Sequence, residues 1–290
     1  MKRFLPFLVF LLLHMLMACT TDYEVENQPS LVVEGWVDDG EFPVVILTTT
    51  LPVSEKRHDV SEIKEHILRW ATVTVDDGER RVVLTGKVDK KYLPPYIYTT
   101  SEMRGRAGRT YRLTVEYKDF HAEAETYVPQ PVALDSVRVL PCDDDTLYQI
   151  KAWFRDNPAE KNYYKFFTCV GTGSRMWLSS YMQTLDDAMF SPDEEVCHTV
   201  FKGRIVMHRD RYVPYYTSRD TLLVKFAQMD SVSFAFWNQM EHNMTLGNSP
   251  LTASRRNPSF NVRGALGYWC GYGATVWPVT IGDSIRHMQK

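Results

Sequence analysis

The chain has 290 residues, of which 44% are apolar and 24% charged, the proportions of a folded globular protein rather than a disordered one. Its formal charge of −3 argues against a general nucleic-acid binder, which would need a basic face, so no nucleic-acid partner is expected. The length suits one large domain or two modest ones.

Lys2 and Arg3 open the chain. Phe4 to Ala18 is almost wholly apolar, interrupted by Pro6 and His14, and the run closes on Leu16-Met17-Ala18-Cys19. A charged start, an apolar middle and a small residue at the cut make a secretory leader, too short for the roughly 20 residues that cross a bilayer. A cysteine directly after the small residue resembles a bacterial lipoprotein signal, in which that thiol is lipidated and the leader removed. Residues 1–18 are therefore expected to be a signal peptide and 19–30 a tether lipidated at Cys19. Loss of Lys2 and Arg3 takes the formal charge from −3 to about −5. Asp22, Glu24 and Glu26 fit a solvated linker. They also resemble the export signal of surface-displayed lipoproteins in the Bacteroidota, and both readings stand.

Leu31 to Val37 and Val44 to Thr50 are β-rich runs around Asp38-Asp39-Gly40-Glu41-Phe42-Pro43. Ala71 to Val75 and Arg81 to Leu84 surround Asp76-Asp77-Gly78, a second hairpin signal. Tyr111 to Tyr117 alternates, and the chain returns through Ala122, Ala124 and Tyr127. Ser61 to Trp70, with Ile63, Ile67 and Trp70 on one side, reads as a short helix or a bent strand. Pro129-Gln130-Pro131 marks the best internal boundary.

Beyond it, Ser136 to Leu140, Leu147 to Phe154 and Tyr163 to Val170 read as strands, with the turn cluster Asp156 to Glu160 between the last two. Gly171 to Asp220 is irregular and rich in tyrosine. Leu222 to Phe226 reads as a strand, and Asp230 as the cap of a helix whose Val232, Phe236, Met240 and Met244 repeat at i+4. Asn257 to Val279 is dense in glycine and aromatic residues. The pattern predicts a mainly β protein of two antiparallel sandwich-like units, of immunoglobulin or transthyretin type, with one or two short helices. Their bounds are 31–129 for the N-terminal sandwich and 130–290 for the C-terminal β-rich domain.

HExxH, GxSxG and GxxxxGK[ST] are missing from the sequence, so no catalytic residues, cofactor or metal are assigned and an enzyme is not expected. Carboxylate-based hydrolases carry no short motif and stay as an alternative. Cys142-Asp143-Asp144-Asp145 and Asp193-Glu194-Glu195 read as solvated turns before they read as cation sites. His198 and His208 are the histidines to watch. Arg104, Arg106 and Arg109 around Gly105 and Gly108 fit an anion nest or a charged hairpin loop. The glycine–aromatic block fits a sugar-stacking surface or close-packed strands. Of the four remaining cysteines, Cys169 and Cys197 are the pair favoured if a disulfide forms, but free buried thiols are the leading expectation. Loops on a rigid sandwich carry recognition, which makes Trp177, Tyr181, Tyr212, Tyr215 and Tyr216 the candidate ligand or partner surface; their alternative role, favoured for Trp177, is to fold the excursion back onto the sandwich. At least one of Tyr215 and Tyr216 is expected to face solvent. Asp135-Ser136-Val137, Asp145-Thr146-Leu147, Asp220-Thr221-Leu222, Asp230-Ser231-Val232 and Asp283-Ser284-Ile285 resemble the O-glycosylation sites of the Bacteroidota.

Several phrases resemble one family. They are Leu31-Val32-Val33-Glu34-Gly35-Trp36; Ala107-Gly108-Arg109-Thr110-Tyr111-Arg112-Leu113; Asp156 to Tyr164; Asn257-Pro258 through Asn261; and Gly264-Ala265-Leu266-Gly267. In order and spacing they are similar to the Bacteroidota lipoproteins grouped as domain of unknown function 4249. Ala265 stands where the family more often has glycine, and Tyr268-Trp269-Cys270 replaces a shorter aromatic–glycine run. The resemblance implies β-sandwich-rich outer-membrane lipoproteins, often encoded near TonB-dependent transporters, and no catalytic residues. The expectation is a protein lipid-anchored at the outer membrane or cell surface, an accessory or binding component in TonB-dependent nutrient uptake. A carbohydrate- or peptide-active hydrolase and a structural or adhesin module are the alternatives.

Overall fold

A computed structural model of the chain describes residues 29–50, 64–144, 146–171, 176–191, 194–203, 212–246 and 260–288. The leader, Cys19 and most of the tether lie outside them, as do Ile63, Asp145, Asp193, His208 and Asn257-Pro258. The described chain is mainly β with two α-helices, the mainly β, sandwich-like class expected.

In the N-terminal half the strands are β1 (Leu31–Asp38), β2 (Val44–Thr49), β3 (Thr72–Asp76), β4 (Arg81–Val83), β5 (Thr85–Val88), β6 (Tyr96–Thr99), β7 (Arg109–Tyr117) and β8 (Phe120–Val128). The C-terminal half adds β9 (Leu134–Pro141), β10 (Leu147–Arg155), β11 (Tyr163–Val170), β12 (Leu178–Asp186), β13 (Glu195–Val200), β14 (Tyr216–Thr217) and β15 (Thr221–Met229). Helix α1 (Ser231–Leu246), β16 (Val262–Arg263), β17 (Leu266–Thr280) and α2 (Ile281–Met288) complete it.

Local chemistry closes the hairpins. Between β3 and β4, Asp76 Oδ1 accepts from Gly78 N, and Asp77 Oδ1 from Glu79 N and Arg80 N. Gly78 supplies the φ of +86° that a side chain would resist. Asp230 Oδ1 accepts from Ser233 N at 2.7 Å and so caps α1. The expected stripe on α1 is rotated, however: Val232 is exposed, while Ser233, Phe236 and Glu241 are buried. Lys64–His66 makes one 3-10 turn and Ile67 bridges to Thr48, so the described part of the Ser61–Trp70 stretch is neither helix nor full strand.

One sheet of eight strands, in the order β12-β11-β15-β17-β1-β2-β6-β5, runs through both halves. Its strands alternate, so each presents two faces. One face is covered twice. The sheet β16-β8-β7-β3-β4 encloses a core of Val33, Val45, Leu47, Tyr111 and Trp269. The sheet formed by β13, β10, β14 and β9 encloses Phe154, Tyr164, Phe166, Tyr216 and Phe226. Helix α1 packs on the opposite face through Phe234 and Trp237.

The expected division at Pro129–Pro131 falls where the chain passes from one core to the other, and the long sheet runs across it. β17 pairs in parallel with β1 through Val32↔Leu266 to Asp38↔Tyr272, then antiparallel with β15 through Met229↔Tyr272 to Thr221↔Thr280. A parallel pair thus joins two otherwise antiparallel units. The connecting chain crosses directly over β17 at Gly271 and Gly273. A Cβ there would lie 2.5 Å from Tyr127 O and 2.2 Å from Pro129 O, which only glycine avoids. The glycine–aromatic block is therefore packing: Trp269 and Tyr272 are buried, and Tyr268 lies 4.8 Å from Phe236.

Candidate recognition surface

Residues at the Thr280 end of β17 come from several loops. Ile281 N donates to Asp220 O, and Asp220 Oδ2 accepts from Thr217 N at 2.9 Å and from Lys202 Nζ at 3.1 Å. Lys202 gathers the rest, because its backbone N donates to Pro214 O and its carbonyl accepts from the Tyr212 hydroxyl. Tyr212 and Tyr181 meet with ring centroids 5.6 Å apart, and Tyr215 meets Phe201 edge-on at 6.1 Å. Tyr181, Tyr212, Tyr215 and Phe201 are all partly exposed. They offer rigid aromatic contact area at low entropic cost.

Two of the five expected residues lie elsewhere. Tyr216 is fully buried in the second core and donates to Val200 O at 3.2 Å, so it faces no solvent. Its strand β14 pairs with β10, and alternation turns Tyr216 inward while Tyr215 stays at the rim. Trp177 packs on the α1 face of the long sheet, 5.7 Å from the Lys225 ammonium. Phe201 and Lys202 were not expected here. No sequence signal marks them, because their position follows from β13 ending beside β12.

That α1 face carries the densest chemistry. Lys225 Nζ meets both Asp38 oxygens at 2.7 and 2.6 Å, with the side chains 3% and 10% exposed. Tyr272 and Phe167 flank the ammonium at 4.6 and 5.2 Å. Lys165 pairs with Glu241 of α1 and bonds Thr184 Oγ1 at 3.0 Å, while Thr184 N donates to Glu241 Oε2 at 3.1 Å. Burial holds the Lys165 pKa below the ordinary lysine range, against the opposing pull of the Glu241 carboxylate. Burial likewise raises Glu34, and it pushes the Cys270 thiol up to about 12, which leaves an inert sulfur. The two lysines, paired with Asp38 and Glu241 inside the layer, fasten strands and helix together.

The remaining expectations resolve into turn and core roles. Asp144 Oδ1 accepts from both the N and the hydroxyl of Thr146, a self-contained turn. Asp156 and Asn162 close the turn cluster, Asn162 Nδ2 donating to Asp156 Oδ1, Asn157 O and Glu160 O. Arg104 lies 3.9 Å over the Phe42 ring and donates to Gly40 O at 2.7 Å, and Arg109 pairs with Glu79 at 2.7 Å. These contacts favour the charged loop, although Arg80, Arg104 and Arg106 also line an open groove of about 410 Å³ with Asp39 and Glu102. His198 stacks on Phe166 at 5.4 Å with its Nε2 buried and unbonded, and burial lowers its pKa to about 4. Among the described residues no group of three or more His, Cys, Asp and Glu is placed to hold a metal. No disulfide joins Cys142, Cys169, Cys197 and Cys270. Cys169 is buried in β11 and Cys197 exposed on β13, in different sheets, so that pairing is not made; Cys169 and Cys270 are free buried thiols, as expected, while Cys197 is free and exposed. Of the hydroxyls in the glycosylation-like sequences, those of Thr146 and Ser231 are exposed.

No curated protein matches the chain. The family described as "Domain of unknown function (DUF4249)" matches residues 19–275, and with most of the sequence so covered, the chain belongs to that family.

Proposed function

We propose that this protein is lipid-anchored at Cys19 in the outer membrane or at the cell surface. In this reading it binds a ligand or partner through the Thr280 end of its C-terminal sandwich, as an accessory to TonB-dependent nutrient uptake. The observation that carries the reading is the course of β17. Its first residue pairs beside Leu31, where the tether meets the fold, and its last pairs with Thr221 beside Asp220 and Lys202. Fifteen extended residues cover about 50 Å, so the aromatic rim stands that far from the attachment point. A rigid spacer with an aromatic tip suits capture away from the membrane. The leader over residues 1–18, followed directly by Cys19, supports the anchor, and the resemblance to transporter-associated lipoproteins supports the partner.

Co-purification from gently solubilised outer membrane tests the reading. A TonB-dependent transporter is expected in the eluate, in an amount reduced by a Tyr212→Ala, Tyr215→Ala double change. Turnover of a glycan or peptide panel would replace the reading with a hydrolase. Self-assembly with no other partner would replace it with a structural module.

A further inference from the structure

Among the described residues Trp70 is the most exposed large apolar side chain, at 90%. Its surroundings are fixed. The Tyr96 hydroxyl donates to Arg69 O at 3.0 Å, and the Tyr98 hydroxyl donates to Leu68 O at 2.9 Å and accepts from Ala71 N at 3.1 Å. The Arg69 guanidinium lies 5.8 Å over the Tyr96 ring. Two tyrosines thus pin the backbone on both sides of an indole that is held outward. Val88, 67% exposed, pairs with Tyr96. The next turn closes through Tyr92 N to Asp89 O and Lys91 N to Asp89 Oδ1, leaving Lys90 and Lys91 exposed.

This patch lies toward the Leu31 end of the N-terminal sandwich. Thr99, at the far end of β6, pairs with Val44, which faces Trp36 near the Asp38 end of β1. Tyr96 and Val88 therefore sit toward the opposite end. There His66 Nδ1 bonds Thr49 Oγ1 at 2.8 Å, and Thr49 faces Leu31. Lys64, Arg69, Lys87, Lys90, Lys91 and Lys118 are all exposed at this end, against Glu65, Asp89, Glu116 and Asp119, a local excess of positive charge in a chain whose net charge is negative. Thr20 to Ser30 lie in sequence between Cys19 and β1, a span of at most about 40 Å, so an anchored molecule keeps this end within that distance of the bilayer.

We propose that this end seats on an anionic lipid surface beside its own anchor, the indole in the headgroup layer and the lysines against phosphate groups. The proposal rests on the lipid-anchored reading above. An indole has an apolar body and one polar N–H, which suits the boundary between headgroups and acyl chains. Lysine and arginine lay apolar stems along that boundary and keep their charges among the phosphates. A protein partner fits less well, because interface centres are depleted in lysine and here lysines surround a single indole. Seating would hold β17 upright and carry the aromatic rim outward.

The test uses the mature chain from residue 19 with Cys19→Ser, so that no acyl chain contributes. Co-sedimentation with vesicles of phosphatidylglycerol and phosphatidylethanolamine is compared with neutral phosphatidylcholine vesicles. Binding is expected to the anionic vesicles, weakening with added salt and falling roughly fivefold or more in Trp70→Ala and in a Lys90→Glu, Lys91→Glu pair. Thermal melting should stay unchanged in both variants. Equal binding to neutral and anionic vesicles overturns the proposal, as does undiminished binding of Trp70→Ala. A membrane protein captured only with Trp70 present, without vesicle binding, overturns it in favour of that protein. Fatty-acid labelling of the wild-type chain reports on the anchor separately: its absence would remove the anchor while leaving the vesicle result to stand or fall alone.

Discussion

The two faces of the long sheet are built from the same strands, yet they are held by different physics. Toward the smaller sheets, Val33, Trp269, Phe166 and Phe226 meet other apolar side chains, and sheet-on-sheet packing removes them from water. On the α1 face the alternate residues of those strands include Glu34, Asp38, Lys165 and Lys225. A single helix cannot cover eight strands as a second sheet does, and charges buried at its margins survive only when paired. The apolar face supplies cohesion. The charged face supplies position: Asp38 with Lys225 ties the two halves across β17, and Glu241 with Lys165 fixes α1.

The largest effect should come from the apolar face. Trp269→Ala empties the first core and removes the hydrogen bond from Nε1 to Tyr111 O, at a cost of about 3–5 kcal/mol in chemical denaturation. A loss below about 1 kcal/mol would show that the shared strand is not held by this side chain. On the charged face, Lys225→Ala should cost nearly as much, about 3–5 kcal/mol, because Asp38 is left buried without its partner. The contrast sharpens in the double change Lys225→Met, Asp38→Leu, which should recover most of that loss. If it is no better than the single change, the pair carries net stability of its own.

His198 offers a titration of the apolar side. Its folded pKa of about 4 lies below the ordinary 6.5, so the unfolded chain takes up a proton that the fold refuses. Stability should therefore be complete above pH 6.5 and decline as the pH falls toward 4, by up to about 3 kcal/mol in all. His198→Gln should flatten that part of the stability–pH curve; an unaltered curve would assign the acid sensitivity elsewhere. The smallest effect belongs to Tyr215→Ala, which should shift folding by less than about 0.5 kcal/mol while weakening partner capture. Tyr216→Ala, one residue along but fully buried, should cost about 3 kcal/mol or more. Equal melting curves for the two would undo the placement of the rim.

Much of the local structure was legible because it is encoded locally. Asp76-Asp77-Gly78 carries its own turn chemistry, Asp230 its own cap, and the alternation of Tyr111 to Tyr117 its own inward face. The candidate surface was legible only in part. Tyr181, Tyr212 and Tyr215 reach the rim, but one step of strand parity turns Tyr216 into the core. β5 and β6 were hidden by the intervening Lys90-Lys91-Tyr92-Leu93-Pro94-Pro95, which reads as loop, and β12 and β13 by the irregular composition around them. Nothing local could have announced the shared sheet. Which edge of β17 meets β1, and that it meets it in parallel, is settled by surface buried between residues more than 200 positions apart. The ion pair of Asp38 with Lys225 follows from that pairing and leaves no periodicity in sequence. Alternation along a strand determines which residues point the same way. Only tertiary pairing decides what they point at, because burial depends on neighbours that the chain brings together last.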